Sequence, residues 1–475
     1  MDRISELPDE ILSHILTMLS IKDLLKTSVL SRRWCKLWSL RRDLHFDILN
    51  VLGSNKKELL LQTDSNSTME RCRVHLNINI DEFVKRVDQF LKKFQGTKID
   101  SFSVSFYLNG THNNIIDQWI SFAIAKGVER INLLLFPVPY TYATPYKRYK
   151  FRFDLFSETN ASTLKHMRLE HCIVCHPTNC DYIPFKNLRS LSLNRAKVDE
   201  IFIESLLSNC QWLEELHLIL CEFKSSTPKI VSSSLCHLKI AGCYVVSGNF
   251  QIDIDLSSID CLKLTSLEYH GYNLDTLNIK TPLLKSIHCT VFYCEDPNQY
   301  ALFATLPTLE IMRLNIYSMV PTSLKVTQPF KHLKQLNIIF MWPLEDTAEH
   351  SEFHLLGILT LLQASPFLHK LSLMLTHPKI IENQKAIKDI DICSHDEVKV
   401  IELGGCVGNW YEFEFVIKVL KYANKLEQIV LSPYWRERDS SDWEFDPVWF
   451  QNRRQMISEK FQSENIIGRE KIVLV

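Results

Sequence analysis

LEELHLILC, residues 213–221, has apolar side chains at its first, fourth, sixth and ninth positions. Leu216 and Leu218 within it are two residues apart, which places both side chains on one face of a short strand. The same spacing recurs along most of the chain. Because one short strand cannot bury its apolar face by itself, this recurrence predicts strands that stack against their neighbours around a shared core.

The recurring unit has the form L-x-x-L-x-L-x-x followed by Cys, Asn or an apolar residue, and successive copies begin 20 to 36 residues apart. Such a period is the signature of leucine-rich repeats, here of irregular length. It predicts a solenoid with parallel strands on its concave side and helices on its convex side. Thirteen copies begin at Ile99, Val128, Leu164, Leu188, Leu213, Leu235, Leu264, Leu284, Leu309, Leu333, Leu368, Val398 and Leu426.

The first forty-odd residues have a different pattern, with three short helical segments in succession. Pro8 marks the start of the first segment, because its fixed φ suits a first helical turn. Ser20 and Asp23 form a capping pair for the second, and Ser31 opens the third. A unit of about 40 residues is below the size that usually folds alone. We therefore expect its excess apolar surface to bind a partner.

This N-terminal segment resembles an F-box. The resemblance rests on Leu7-Pro8-Asp9-Glu10-Ile11-Leu12, on Ile15-Leu16-x-x-Leu19 and on Ser28-Val29-Leu30-Ser31-Arg32-Arg33-Trp34-x-x-Leu37-Trp38. It implies docking on the adaptor subunit of an SCF-type cullin–RING ubiquitin ligase and, through that adaptor, on a cullin. The expected adaptor-binding residues, some of which also form the core of the segment, are Leu7, Pro8, Ile11, Ile15, Leu19, Leu24, Val29, Trp34, Leu37 and Trp38.

The C-terminal region is predicted to contain a strand–helix–strand unit between Val398 and Pro433. This unit is similar to the FBD domain that follows leucine-rich repeats in many plant F-box proteins. The predicted fold class is therefore α/β, with a small three-helix F-box, an irregular leucine-rich-repeat solenoid and an FBD-like end. The predicted domains are 1–48 for the F-box, 49–75 for a linker or mobile loop, 76–390 for the repeats and 391–475 for the FBD-like domain.

The composition argues against several other classes of protein. The formal net charge is −1, so no bulk field draws the chain to nucleic acid or to an anionic membrane. No uninterrupted apolar run reaches the ~18 residues that span a bilayer, and the N-terminus lacks the basic and apolar regions of a signal peptide. We expect a cytoplasmic or nuclear protein, or one in both compartments, with its 14 cysteines reduced and mostly buried.

One group of histidines and cysteines has a spacing that could suggest zinc, because Cys172-x-x-Cys175 resembles half of a zinc knuckle. However, no second pair with matching spacing follows, and Cys172 falls at the repeat position that Cys221, Cys243 and Cys406 also occupy. That position requires a small buried side chain, so we expect no metal there. The complete group is His166, His171, Cys172, Cys175, His176 and Cys180.

Two further stretches are weaker candidates for ligand binding. The loop 404–408, Gly-Gly-Cys-Val-Gly, does not match a dinucleotide or P-loop motif, so we expect a turn and no cofactor. The arginines around Trp34 and Trp38 fit the solvated rim of the third F-box helix better than a nucleic-acid patch. The tyrosine-rich, basic insert 140–150 is more typical of a solvated loop than of a ligand site.

No nucleophile elbow, zinc-protease or Walker motif is present, and nothing marks a cysteine as a nucleophile. The pattern therefore predicts a non-catalytic subunit that recruits substrates to a ubiquitin ligase by binding a target protein through its repeats. The sequence does not identify that target. Two alternatives stay open: a hormone-type small-molecule receptor built on the same repeats, and a protein-binding module that acts without the adaptor.

Overall fold

The computed structural model describes most of the 475-residue chain. The described residues are 6–27, 40–53, 80–136, 147–157, 161–175, 185–224, 227–247, 250–253, 258–271, 278–291, 301–316, 328–341, 355, 357–376, 380, 394–434, 447–463 and 466–475. They form two compact units. Unit 1 comprises 1–235 and 242–254, and unit 2 comprises 236–241 and 255–475.

The main sheet of unit 1 consists of parallel strands that are neighbours in chain order. They are β1 Asp43–Asp47, β2 Ser101–Phe106, β3 Arg130–Leu135, β5 His166–Glu170, β7 Ser190–Asn194 and β9 Glu215–Ile219. A second sheet is formed by shorter strands that follow them: β4 Tyr149–Lys150, β6 Cys172–Val174, β8 Lys197–Val198, β10 Glu222–Phe223, β13 Tyr244–Ser247 and β14 Phe250–Asp253. Of these pairs, β13 and β14 are antiparallel.

The helices described in unit 1 lie at its N-terminus and between the strands. They are α1 Asp9–Thr17, α2 Ile21–Thr27, α3 Ile48–Leu52, α4 Ile80–Lys93, α5 Asn113–Ala125 and α6 Glu200–Asn209. The apolar stripe of α4 packs on the main sheet, where the ring of Phe83 stacks on that of Phe106 with centroids 3.6 Å apart. The third predicted F-box helix lies outside the described residues.

Unit 2 has the same construction. Its parallel strands are β12 His237–Ala241, β16 Ser266–Gly271, β18 Ser286–Val291, β19 Ile311–Ile316, β20 Gln335–Met341, β21 Lys370–Thr376, β22 Val400–Gly404, β23 Gln428–Ser432 and β24 Ile472–Leu474. The helices described in it are α7 Ala301–Ala304, α8 Gly357–Gln363, α9 Trp410–Tyr422 and α10 Pro447–Ser463. Shorter strands are β11 Ile230–Ser232 in unit 1 and β15 Ser258–Cys261 and β17 Asn278–Lys280 in unit 2.

The thirteen predicted repeat strands are all present. Each begins two residues after the first residue of its L-x-x-L-x-L copy, and the apolar pair of each copy is buried, as Leu216 and Leu218 are in β9. The predicted α/β class and the strand–helix–strand order of β22, α9 and β23 are therefore confirmed. Among the residues that the structure describes, no helix combines the length and apolarity that a bilayer crossing requires.

Two strands of the main sheets were not predicted. β1 has the alternation Leu44-x-Phe46 but lacks the leading leucine of the repeat, and β24 is only three residues long. Leu44 and Phe46 are fully buried, like the apolar pair of a repeat. β1 therefore adds a strand to the repeat sheet from inside the predicted F-box range of 1–48, while the domain limits themselves stay a prediction.

In five of the described repeats, a left-handed residue precedes the buried ninth residue of the copy, which we call the ladder position. The residue just before Cys172, Ala196, Cys221, Cys243 and Cys406 has φ of 53°, 48°, 51°, 57° and 70° respectively. Glycine occupies this position twice, and an L-residue occupies it three times despite the steric cost. One backbone conformation therefore recurs at this position of the repeat in different sequences.

Two of the buried ladder cysteines also make a polar contact between repeats. The Cys221 thiol donates to the Leu193 carbonyl at 3.4 Å, and the Cys243 thiol donates to the Leu218 carbonyl at 3.3 Å. In each case the acceptor belongs to the preceding repeat. A thiol combines small apolar volume with a weak donor, so it fills this site and satisfies a carbonyl.

Candidate functional site

The first helix separates its apolar side chains into a buried and an exposed set. Leu12 and Leu16 are four residues apart, point to one side and are fully buried. Leu24 of α2 is also fully buried. These three leucines belong to the interior of the N-terminal segment.

A second apolar stripe on α1 faces away from that interior. Pro8, Ile11, Ile15 and Met18 follow one another at spacings of three or four residues, and we call them the outer stripe. Ile11 is 48% exposed and Met18 is 78% exposed. Pro8 is exposed and Ile15 is half-buried. An exposed apolar stripe beside a buried one is the pattern expected of a helix that has a second binding surface.

The structure describes six of the ten residues that the sequence predicted for adaptor binding, and these lie in three environments. Leu24 is buried, Leu7, Ile15 and Leu19 are half-buried, and Pro8 and Ile11 are exposed. Val29, Trp34, Leu37 and Trp38 lie outside the described residues. Sequence reasoning missed Met18, although its spacing of seven residues from Ile11 places it on the same helix face.

The predicted capping pair at the start of α2 is present. The Ser20 hydroxyl accepts a hydrogen bond from the Asp23 backbone N–H at 3.0 Å and donates to the Asp23 carboxylate at 2.8 Å. Pro8 directly precedes α1, and its carbonyl accepts from the Leu12 N–H at 3.1 Å. Both helix starts are therefore fixed locally, which orients the outer stripe.

A buried arginine connects these helices to the repeat sheet. Arg41 donates from Nη1 to the Leu19 carbonyl at 3.1 Å and from Nε to the Asp43 carbonyl at 2.8 Å. Burial lowers the pKa of Arg41, and nearby Asp43 opposes that shift. Beyond it, Phe46 of β1 packs on Phe90 and Phe102 with ring centroids 5.6 and 5.7 Å apart.

In unit 2, the strand residues that alternate with the buried pairs form a second candidate surface, which we call the open face. A cavity of about 560 Å³ lies there along β20 to β23. It combines apolar and polar side chains. Its lining includes Asn337, Ile339, Lys370, Ser372, Met374, Glu402, Val430, Ser432 and Tyr434.

One ion pair orients the polar side of this cavity. Lys370 Nζ lies 2.6 Å from Glu402 Oε1, and the Ser372 hydroxyl donates to the other carboxylate oxygen. Although burial raises the pKa of Glu402, the hydrogen bonds from Lys370 and Ser372 lower it overall. The carboxylate is therefore ionised and held between two strands.

The open face also brings together three residues that sequence reasoning did not connect. Glu268 and His270 lie two residues apart on β16, and His288 lies beside Glu268 on β18. The ligand atoms of the three side chains are all within 4.8 Å of one another. Aligning the repeats starting at Leu264 and Leu284 would have placed Glu268 next to His288, because both are the fifth residue of their copy.

Family models match most of the chain. The model described as At1g61320/AtMIF1, LRR domain, matches residues 90–469, and the F-box domain model matches residues 4–46. The chain belongs to the F-box/leucine-rich-repeat family. The repeat model extends through most of the region predicted to be FBD-like, and that domain assignment stays a prediction.

Relatives from Arabidopsis thaliana are similar to this F-box/leucine-rich-repeat protein. F-box protein At5g03100 is 31% identical, with 51% of this chain and 64% of the relative covered. F-box/LRR-repeat protein At3g58940 is 27% identical, with 67% and 48% covered. F-box/FBD/LRR-repeat protein At1g13570 is 28% identical, with 66% and 69% covered. The alignments to the first two span less than two thirds of those relatives.

One solved structure of low sequence identity also matches this F-box/leucine-rich-repeat protein. The crystal structure of a TLR13–ssRNA13 complex matches 74% of this chain and 50% of that chain. The sequence identity is 14% and the TM-score is 0.38.

The glycine-containing loop 404–408 of this family member surrounds one of its own carboxylates. Glu412 is buried and accepts hydrogen bonds from the backbone N–H groups of Val407, Gly408 and Asn409 at 3.3, 2.7 and 3.0 Å. Burial raises the pKa of Glu412, and the donors around it, including the Cys406 thiol, oppose that shift. The N–H groups that a phosphate would need are thus directed at Glu412, and the loop is the predicted turn.

The histidines and cysteines of the F-box/leucine-rich-repeat protein at 166–180 are distributed over separate strands. His166 begins β5, whereas Cys172 begins β6. The Cys172 thiol donates to the Glu170 carbonyl at 3.1 Å, and burial raises its pKa. Cys172 therefore occupies the predicted buried ladder position. His176 and Cys180 lie outside the described residues.

Proposed function

We propose that this chain is a substrate-recognition subunit of an SCF-type E3 ubiquitin ligase. Its F-box binds the adaptor subunit and, through it, a cullin, while the repeats bind a target protein. The single observation that carries the proposal is the outer stripe of α1, an exposed apolar surface inside the matched F-box. Burying two side chains the size of Ile11 and Met18 contributes roughly 1.5–3 kcal/mol each.

In this proposal the chain is not a catalyst. Holding a target beside a charged ubiquitin carrier converts a bimolecular encounter into one within a complex, and raises the effective concentration of the reacting groups. The chemistry belongs to other subunits. The complex acts in the cytoplasm, the nucleus or both.

Reconstitution of the complex from purified chains tests the proposal. Full-length protein is mixed with recombinant plant SCF adaptor and cullin, and the mixture is separated by size-exclusion chromatography with light scattering. We expect one complex with one copy of each chain. Elution of the full-length protein apart from an intact adaptor–cullin complex, at micromolar concentrations of all three, would overturn the proposal.

The cavity on the open face supports a second candidate function, a small-molecule receptor built on the same repeats. Its volume of about 560 Å³ falls within the roughly 300–1,000 Å³ that is typical of ligand pockets. Its lining combines apolar Met374 and Val430 with the fixed carboxylate of Glu402. Native mass spectrometry of protein purified from plant extract tests this. A co-purified small molecule that the Met374→Arg variant loses favours the receptor.

A further inference from the structure

We propose that Glu268, His270 and His288 bind a transition-metal dication of the Zn²⁺ class on the open face of unit 2. The sequence had led us to expect no metal site. The proposal is independent of the proposed ligase function, because it concerns three side chains of the repeat sheet and is tested by metal binding alone.

The register of two neighbouring strands creates the site. β16 and β18 are parallel, and Glu268 pairs with His288 across the ladder. His270 is two residues further along β16 and therefore projects from the same face as Glu268. Glu268 Oε1 lies 2.8 Å from His270 Nε2 and 3.5 Å from His288 Nδ1. The imidazole rings have centroids 5.1 Å apart and lie edge to face at 68°.

Two of the three separations between ligand atoms are close to those of a tetrahedral metal, and the third is at most 4.8 Å. Zinc bonds to nitrogen and carboxylate oxygen are ~2 Å long, so two ligand atoms of a tetrahedral site are about 3.3 Å apart. The two measured separations lie on either side of that value. Two imidazoles and one carboxylate are also the ligand set of catalytic zinc sites, which leave one coordination position open.

The surroundings restrict the side chains without closing the site. The His270 side chain is 9% exposed, whereas those of Glu268 and His288 are 25% and 23% exposed. On β18, buried Thr290 pairs with His270 of β16. The Thr290 hydroxyl accepts a hydrogen bond from the Asn315 side-chain amide at 3.0 Å. The ligands thus lie on two strands next to the buried hydrogen bond between Asn315 and Thr290, and an ion can enter from the open face.

Lys239 on the adjacent strand β12 competes with a metal. Its Nζ lies 2.9 Å from Glu268 Oε1, the oxygen that also faces both histidines. Although burial raises the pKa of Glu268, hydrogen bonds from His270 and Lys239 lower it to about 2. The carboxylate is therefore already ionised, as a ligand must be. The side chain of Lys239 is long and 30% exposed, so it can move aside when an ion binds.

Calorimetric titration of metal-free, reduced full-length protein with Zn²⁺ tests the proposal. Because cysteines elsewhere can also bind zinc, the comparison between variants carries the result. We expect His288→Ala to lose one equivalent of bound Zn²⁺, or to bind it at least about tenfold more weakly. His237→Ala, which removes an exposed histidine from β12, is the matched control and should bind like the wild type.

A variant that should bind Zn²⁺ more tightly provides a second test, because a misfolded protein would not gain zinc affinity. Replacing Lys239 by Met removes the competing ammonium and keeps the apolar stem, so Lys239→Met should bind Zn²⁺ more tightly than the wild type. With Co²⁺ as the probe, the same variant should strengthen the visible absorption typical of tetrahedral cobalt. Equal zinc binding by the wild type, His288→Ala and Lys239→Met would overturn the proposal, as would an equal loss in His237→Ala.

Discussion

At the scale of single residues, the left-handed turn before each ladder position shows where the repeat constrains its sequence. His171, Arg195 and Leu220 adopt a conformation that costs an L-residue roughly 1–2 kcal/mol, while Gly242 and Gly405 adopt it freely. The repeat tolerates the strain because the buried residue that follows fixes the direction of the chain. No spacing rule reveals such strain, because the five residues have no side-chain feature in common.

Arg195→Gly should therefore stabilise the protein. The substitution relieves the left-handed strain, partly offset by the greater backbone entropy of glycine in the unfolded chain, and we expect a net gain of about 0.5–1 kcal/mol. Urea denaturation measures it. Arg195→Ala is the matched control, since it removes the same side chain but keeps a Cβ, and it should give no gain. Equal stability of the Gly and Ala variants would contradict the explanation.

Gly405 occupies the equivalent left-handed position in unit 2, and its replacement by any L-residue should destabilise the protein. A Cβ on Gly405 would overlap the Leu375 carbonyl oxygen of the preceding repeat strand. Gly127 has a similar φ of 67°, but a Cβ there would meet only a Thr163 methyl group at 3.9 Å. We expect Gly405→Ala to lower the free energy of unfolding clearly more than Gly127→Ala in the same urea titration. A larger loss in Gly127→Ala would show that strain, not contact, decides.

At the scale of elements, the carboxylate of Glu412 maintains the connection between β22 and α9. Glu412→Ala would leave the N–H groups of residues 407–409, which are buried or half-buried, without their acceptor, at roughly 1–3 kcal/mol for each unsatisfied buried group. We expect a loss of about 3 kcal/mol or more in chemical denaturation. Glu412→Gln, which retains one acceptor oxygen, should lose about half as much. If the denaturation midpoint of Glu412→Ala equals that of the wild type, this account of the loop is wrong.

The strand β1 has a similar structural importance at the N-terminal edge of the repeat sheet of unit 1. Removing residues 1–48 deletes the buried side chains of Leu44 and Phe46 and exposes the edge of β2. Removing residues 1–40 keeps the strand. We expect the longer deletion to melt several degrees lower than the shorter one in calorimetric scans. Equal melting temperatures would mean that β1 contributes little to the repeat sheet.

The spacing of leucines predicted the strands well because a two-residue period has only one arrangement that buries every copy. Exposure in the F-box was harder to predict, since Ile11 and Leu12 are both apolar and only the packed helices distinguish the exposed one from the buried one. The Glu268–His288 contact depends on the 20-residue interval between two repeats, which sets the neighbours across strands. Glu412 lies six residues after Cys406, and its inward direction follows from the turn before α9.

At the scale of the whole molecule, one chain carries an exposed apolar stripe within its matched F-box and candidate binding surfaces on its repeat sheet. The outer stripe belongs to unit 1, and the cavity and the Glu268 cluster belong to unit 2. We propose that the outer stripe binds the ligase adaptor and that the repeat sheet binds a target protein. The central claim is therefore that the outer stripe binds the ligase adaptor.

Calorimetric titration of the full-length protein with recombinant plant adaptor tests that claim most directly. The variants are Ile11→Glu and the double replacement Leu7→Ala with Pro8→Ala, and the matched control is Ile201→Glu, an isoleucine of α6 that is 55% exposed. We expect saturable one-to-one binding by the wild type and the control. Both variants should bind at least about a hundredfold more weakly, or roughly 2.7 kcal/mol, with an unchanged melting temperature. No binding by the wild type, or equal affinity in all four proteins, would contradict the claim.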